Sequence, residues 1–174
     1  MSIHEESQRH NGPQKDSRLS LMRQNVPVTL SAPRLTHVAL PVGDLDASVA
    51  WYLEFTPLVC IHRRADAIGQ AAWLSHDRQV INPFVIVLVM NFSDHGRTHK
   101  VLAPFAHLGI EVPDRADVDA AAEHGRAAGC LTWEPEDLPD PVGYICALND
   151  PDGNVIEISH NQGVYAAVQG MWSE

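Results

Sequence analysis

Apolar residues alternate with small or polar ones over 35–42 (LTHVALPV) and again over 105–112 (FAHLGIEV). Each stretch carries a His followed by large aliphatics at every second position. The first has His37 with Val38, Leu40 and Val42; the second, 70 residues on, has His107 with Leu108, Ile110 and Val112. Period-two alternation predicts a half-buried strand. Each strand runs to an Asp, Asp44 or Asp114, that precedes apolar residues at helical spacing, the pattern of an N-cap and its helix. After Asp44, the residues Leu45, Val49, Tyr52 and Leu53 share one helix face, which stops near Pro57; after Asp114 the face is Val118, Ala121, Ala122 and Gly125, closed by Gly129. Strand, cap and helix therefore recur at a constant offset. The chain contains an internal repeat.

The remaining pattern completes both copies. Strands are predicted over 58–64 and 71–75, with the continuous apolar run 84–90 as a third and 76–83 as a polar connection. In the second copy, 130–133 reads as a short strand and 134–142, rich in Pro and Asp, as a loop. Strands over 144–148 and 154–160 flank Asp150-Pro151-Asp152-Gly153, a tight turn. Each module thus reads β-α-β-β-β, an α+β fold of two modules on a curved mixed sheet. Residues 1–33, polar and broken by prolines, read as a tail or arm, with 25–30 as an edge strand. Residues 34–161 form one domain, with module one over 34–91, a linker over 92–103 and module two over 104–161; 162–174 is a C-terminal tail.

Composition narrows the function. At 174 residues and 45% hydrophobic, the chain is long enough to bury a sizeable core. Its net charge of −10 argues against nucleic acid or an anionic membrane as partner, and the longest apolar run is too short to cross a bilayer. Three cysteines without a close pair, and no charged-then-apolar leader, predict reduced thiols in a cytoplasmic setting.

Side-chain parity then locates the chemistry. Successive strand residues face opposite sides, so His37 shares a face with Ala39 and Pro41, and His107 with Gly109 and Glu111. Both imidazoles stand beside small residues, where space is left. Glu157 sits between Ile156 and Ile158, and the other hairpin strand offers Ile145, Ala147 and Leu148 but no cation. A lone buried carboxylate is costly unless paired or bound to metal. His37, His107 and Glu157 make a candidate two-His-one-carboxylate set, able to hold one face of a divalent ion. The alternative for Glu157 is a salt bridge to Arg34 or Arg126. Trp51, Trp73 and Trp133 read as core residues, with the cleft as the alternative for Trp73; His62, His76 and His160 read as surface groups.

The stretches HVALPVGDLDASVAWY, AHLGIEV and NDPDGNVIEIS, set in paired βαβββ modules over about 35–161, resemble the vicinal oxygen chelate superfamily of glyoxalases, extradiol dioxygenases, epimerases and antibiotic-resistance proteins. The resemblance implies metal ligands from the first and last strands of each module: His37, His107 and Glu157. The fourth position, a Glu or Gln in glyoxalases, falls nearest Val87, which cannot bind metal. That departure matches the three-ligand Fe(II) or Mn(II) set of extradiol dioxygenases, with Zn(II) or Ni(II) as the glyoxalase-like choice. The dioxygenase likeness further implies His95 or His99 as a proton shuttle, with Tyr144 as the nearest tyrosine to the expected position. A glyoxalase-like lyase or isomerase remains if Gln79 or water fills the fourth position. A metal-free protein that binds a small antibiotic-like molecule is the rival from another class. The resemblance also implies a small-molecule substrate that chelates the metal through two oxygens, such as a catechol, enediolate or hemithioacetal, and a homodimer.

Overall fold

The computed structural model describes residues 35–76, 84–102, 105–164 and 168. Residues 1–34, including the expected arm and its edge strand, and most of the 76–83 connection, with Gln79, lie outside the described residues. Two four-stranded sheets carry one helix each. Module one comprises β1 (His37–Pro41), α1 (Leu45–Phe55), β2 (Val59–Ala65), β3 (Gly69–Ser75) and β4 (Val85–Asn91). Module two comprises β5 (His107–Glu111), α2 (Arg115–Ala128), β6 (Leu131–Leu138), β7 (Gly143–Asn149) and β8 (Val155–His160). The strand orders are β1-β4-β3-β2 and β5-β8-β7-β6. In each, the first and last strands pair in parallel and the others antiparallel. The repeat read from the sequence is a repeat of structure.

Local chemistry sets the helix ends. Asp44 accepts from Ala47 N at 3.0 Å at the start of α1, and Asp114 N donates to Asp117 Oδ2 at 3.1 Å at the start of α2. Helix α1 stops where Thr56 turns its hydroxyl back to the Tyr52 carbonyl and Pro57 follows. Helix α2 ends at Gly129, whose φ of 74° is a left-handed conformation that suits glycine.

The expected loop over 134–142 is instead largely strand, since β6 runs on to Leu138. Pro135 is tolerated because β6 is a sheet edge and its register with β7 shifts between Trp133 and Glu136. The acidic residues that suggested a loop are anchored to α2: Glu134 pairs with Arg126, and Asp137 with Arg115. Arg126 is thereby engaged away from Glu157.

One core spans both modules. Leu40, Val42, Val49 and Tyr52 from module one cluster with Val118, Cys146, Leu148 and Ile158 from module two. The 150–154 turn is inserted into this junction. Asp150, 4% exposed, accepts from Tyr52 OH at 3.1 Å, and from Asp152 N and Asn154 N within its own turn. Asp152 accepts from Gly43 N (3.1 Å), Ser48 Oγ (3.4 Å) and His99 N (2.8 Å). Asn154 Oδ1 accepts from Val101 N and Leu102 N. The DPDGN signature is therefore the fastener that joins module two to α1, to the β1–α1 corner and to the linker.

Candidate functional site

Parity and register place the site on the sheet faces turned away from the helices. On β5 and β8, His107 is paired with Val155 and Gly109 with Glu157. Gly109 leaves room there: a Cβ on it would lie 3.6 Å from Glu157 Oε1. Glu157 is 5% exposed and its cross-strand neighbour on β7 is Ala147, so no cation meets it across the hairpin. Its Oε2 lies 3.5 Å from His107 Nε2, and its Oε1 accepts from Gln162 Nε2 at 2.8 Å.

The tautomer of His107 follows from its other nitrogen. Nδ1 lies 2.8 Å from the Phe105 carbonyl oxygen, which can only accept, so Nδ1 carries the proton. That leaves Nε2 to face the Glu157 carboxylate, where a neutral ring offers a lone pair and an imidazolium donates an N–H. In the neutral form a divalent cation between the two groups satisfies both, and a metal-ligating His usually donates its other ring N–H to a group such as the carbonyl found here. The donor set therefore suits a divalent ion. A cavity of about 170 Å³ lies over this pair, lined by Phe105, Thr132, Trp133, Ala147 and Val155 as well as by His107 and Glu157.

Module one repeats the geometry with different chemistry. His37 is paired with Val85, and Ala39 with Val87, so Val87 stands in β4 where Glu157 stands in β8. Trp73 pairs with Val87 and is 41% exposed, its indole edge-on to His62. It belongs to this open face rather than to the core. The His37 Nδ1 lies 2.9 Å from Thr36 Oγ1.

The three expected ligands are not gathered in one chain. No group of three His, Cys, Asp or Glu that could hold a metal ion occurs among the described residues. The reason is the way the modules join. The corner beyond the C-terminal end of β1, at Gly43, is bonded to Asp152, just before Val155 and hence near His107. His37 is at the opposite end of β1, about 13 Å along the strand at 3.3 Å per residue.

The expected acid–base groups are placed elsewhere. Tyr144 lies on the helix side of β7, opposite in parity to Ala147 and Glu157. Its hydroxyl donates to Asp119 Oδ1 on α2 at 2.6 Å, and the Arg115 guanidinium stacks 3.4 Å above its ring. The Asp119 carboxylate raises the Tyr144 pKa above its ordinary value. His95 is exposed after the short 3-10 turn Phe92–Asp94, and His99 is held by Asp152 at the module junction with its Nε2 buried and unpartnered among the described residues. Neither lines the cavity over Glu157.

Three site residues were missed in the sequence. Phe105, 78% exposed, shares the parity of His107 and could have been found from it. Trp133, expected in the core, lines the cavity because β6 is an edge strand. Gln162 was assigned to a tail.

The superfamily model "Glyoxalase/Bleomycin resistance protein/Dioxygenase superfamily" matches residues 34–158. The chain belongs to this superfamily. It is 40% identical over 132 residues to an uncharacterized protein of Pseudomonas aeruginosa, covering 75% of this chain and 91% of that one. It is 27% identical over 146 residues to a probable lactoylglutathione lyase of Vibrio cholerae, covering 81% of this chain and all of that one. Among solved structures, it resembles a glyoxylase/bleomycin resistance protein/dioxygenase domain from Frankia (TM-score 0.57, 28% identity), over 74% of this chain and 97% of that one. The fold seen here is the vicinal-oxygen-chelate fold of this superfamily. No described helix is long and apolar enough to cross a membrane.

Proposed function

We propose that the protein is a divalent-metal enzyme acting on a small substrate with two vicinal oxygens, its ligands being His107 and Glu157 of one copy and His37 of a second. The observation that carries this reading is the His107 imidazole, held by the Phe105 carbonyl, with its Nε2 3.5 Å from the buried Glu157 carboxylate on a small-residue face. Since one chain holds His37 apart from this pair, a second copy of the chain completes the set, and a homodimer is the working unit. A bound divalent ion would act as a Lewis acid toward both substrate oxygens, stabilising negative charge as it develops.

The chain's own residues define what is held. The Phe105 carbonyl fixes the His107 tautomer, and Phe105, Trp133, Ala147 and Val155 supply the apolar part of the site's wall. Its volume of about 170 Å³ is close to the roughly 150 Å³ cavity that accepts one benzene ring. A single-ring catechol fits that size and lining. Val87 in the place of a fourth ligand leaves a two-His-one-carboxylate set, which favours Fe(II) or Mn(II) and ring-cleaving dioxygenation. The second reading, a glyoxalase-like lyase with Zn(II) or Ni(II), is favoured by the likeness to the Vibrio cholerae protein.

The test is metal content and turnover of protein purified anaerobically without chelator. Near-stoichiometric iron or manganese, lost in His107→Ala, with oxygen uptake on catechols, supports dioxygenation. Zinc or nickel with turnover of a hemithioacetal supports the lyase. Mixing His37→Ala with Glu157→Gln should restore one intact site per dimer. Failure of the mixture to regain any metal binding refutes a site shared between copies, and no metal uptake by the wild type leaves a binding protein.

A further inference from the structure

We infer that Gln162, on the segment after the last strand, is a positioning residue that sets the orientation of the Glu157 carboxylate toward the metal. This rests on the metal reading of His107 and Glu157 above. The observations concern how this residue is brought to the site and what it leaves free.

Strand β8 ends at His160, and Asn161 adopts a left-handed conformation with φ of 58°. The chain reverses there and returns over the open face of β5 and β8. Gln162 N donates to Glu111 Oε1 at 3.0 Å, at the C-terminal end of β5, and Gly163 N donates to the Pro141 carbonyl at 2.8 Å, in the β6–β7 connection. The main chain of this segment is therefore tied on both sides of the site. From that position the side chain reaches inward, and Gln162 Nε2 donates to Glu157 Oε1 at 2.8 Å. Gln162 Oε1 lies 4.0 Å from where a Cβ on Gly109 would stand, so the amide uses space that glycine leaves open.

This single hydrogen bond divides the carboxylate. Oε1 is taken by the amide, while Oε2 faces Nε2 of His107. Without the amide donor, Oε1 of Glu157 is free, and the 3.5 Å contact of Oε2 with His107 is the polar restraint that remains among the described residues. Hydrogen-bonded partners behind a metal ligand fix its orientation, and their removal typically costs 10–100-fold in metal affinity. Gln162 holds that place for Glu157, as the Phe105 carbonyl does for His107.

Cobalt(II) titration of the full chain tests this, with affinity from a competing chromophoric chelator and coordination from the visible absorption of bound cobalt. Gln162→Met and Gln162→Leu preserve bulk and remove the donor. Both are expected to bind cobalt about 10–100-fold more weakly than wild type, with an altered visible spectrum as the carboxylate changes its mode of coordination. Urea unfolding of the metal-free variants separates this from simple loss of stability. Unchanged affinity and spectrum, with or without lowered stability, overturns the inference and leaves Gln162 a structural tie, the metal reading intact. Wild type that binds no more cobalt than His107→Ala overturns the metal reading, and the role of Gln162 falls with it.

Discussion

Replacing Asp152 by Ala should loosen the junction between the two modules. The Asp152 side chain accepts from Gly43 N, His99 N and Ser48 Oγ, and the residue is 3% exposed. Truncation strands two main-chain donors and one hydroxyl. Leaving a buried donor unsatisfied costs about 1–3 kcal/mol, and the Ser48 contact, at 3.4 Å, is the weakest of the three. The expected loss is about 3–5 kcal/mol, a large part of the roughly 5–15 kcal/mol that a domain of this kind possesses. Asp152→Asn is the discriminating control. Its amide oxygen can still accept from Gly43 N and His99 N, while its NH₂ can donate to the Ser48 hydroxyl, so a loss of about 1 kcal/mol or less is expected. Urea unfolding followed by circular dichroism, compared at constant m-value, measures both. A cost below about 1 kcal/mol for Asp152→Ala, or equal costs for the two variants, refutes the argument that these hydrogen bonds hold the modules together.

Two further outcomes follow from burial. All three cysteines are free, and burial pushes the Cys146 thiol up to about 12, so in native protein Ellman's reagent should label Cys60 and Cys130 while Cys146 reacts only on unfolding. Burial also raises the Asp150 carboxyl above its ordinary range, so the folded state holds its proton more tightly than the unfolded chain. The contribution of this group to stability is then full in acid and is lost as pH rises through the folded pKa; Asp150→Asn should remove that part of the slope in urea midpoints measured from pH 4 upward.

The two modules, their helix caps and the faces carrying His37, His107 and Glu157 were legible because each depends on local periodicity. Alternation decides which side of a strand a residue occupies, and a cap needs only its own turn. The match of Val87 to the place of Glu157 was implied by the family resemblance, and the two strand registers agree with it. What the sequence could not convey depends on segments distant along the chain. Residues 134–138 look like a loop until α2 supplies Arg115 and Arg126 to their carboxylates and the sheet edge tolerates Pro135. Tyr144 stands near the expected catalytic position in sequence, yet parity turns it toward Asp119. Asp152 reads as a turn residue and becomes the tie to Gly43, Ser48 and His99, which stand 53 to 109 residues earlier. Gln162 reaches Glu157 only because Asn161 reverses the chain. Local pattern determined the elements and the chemistry they carry; the docking of one module on the other decided which of those groups meet in a single chain, since hydrogen bonds between remote segments leave no periodic trace in the sequence.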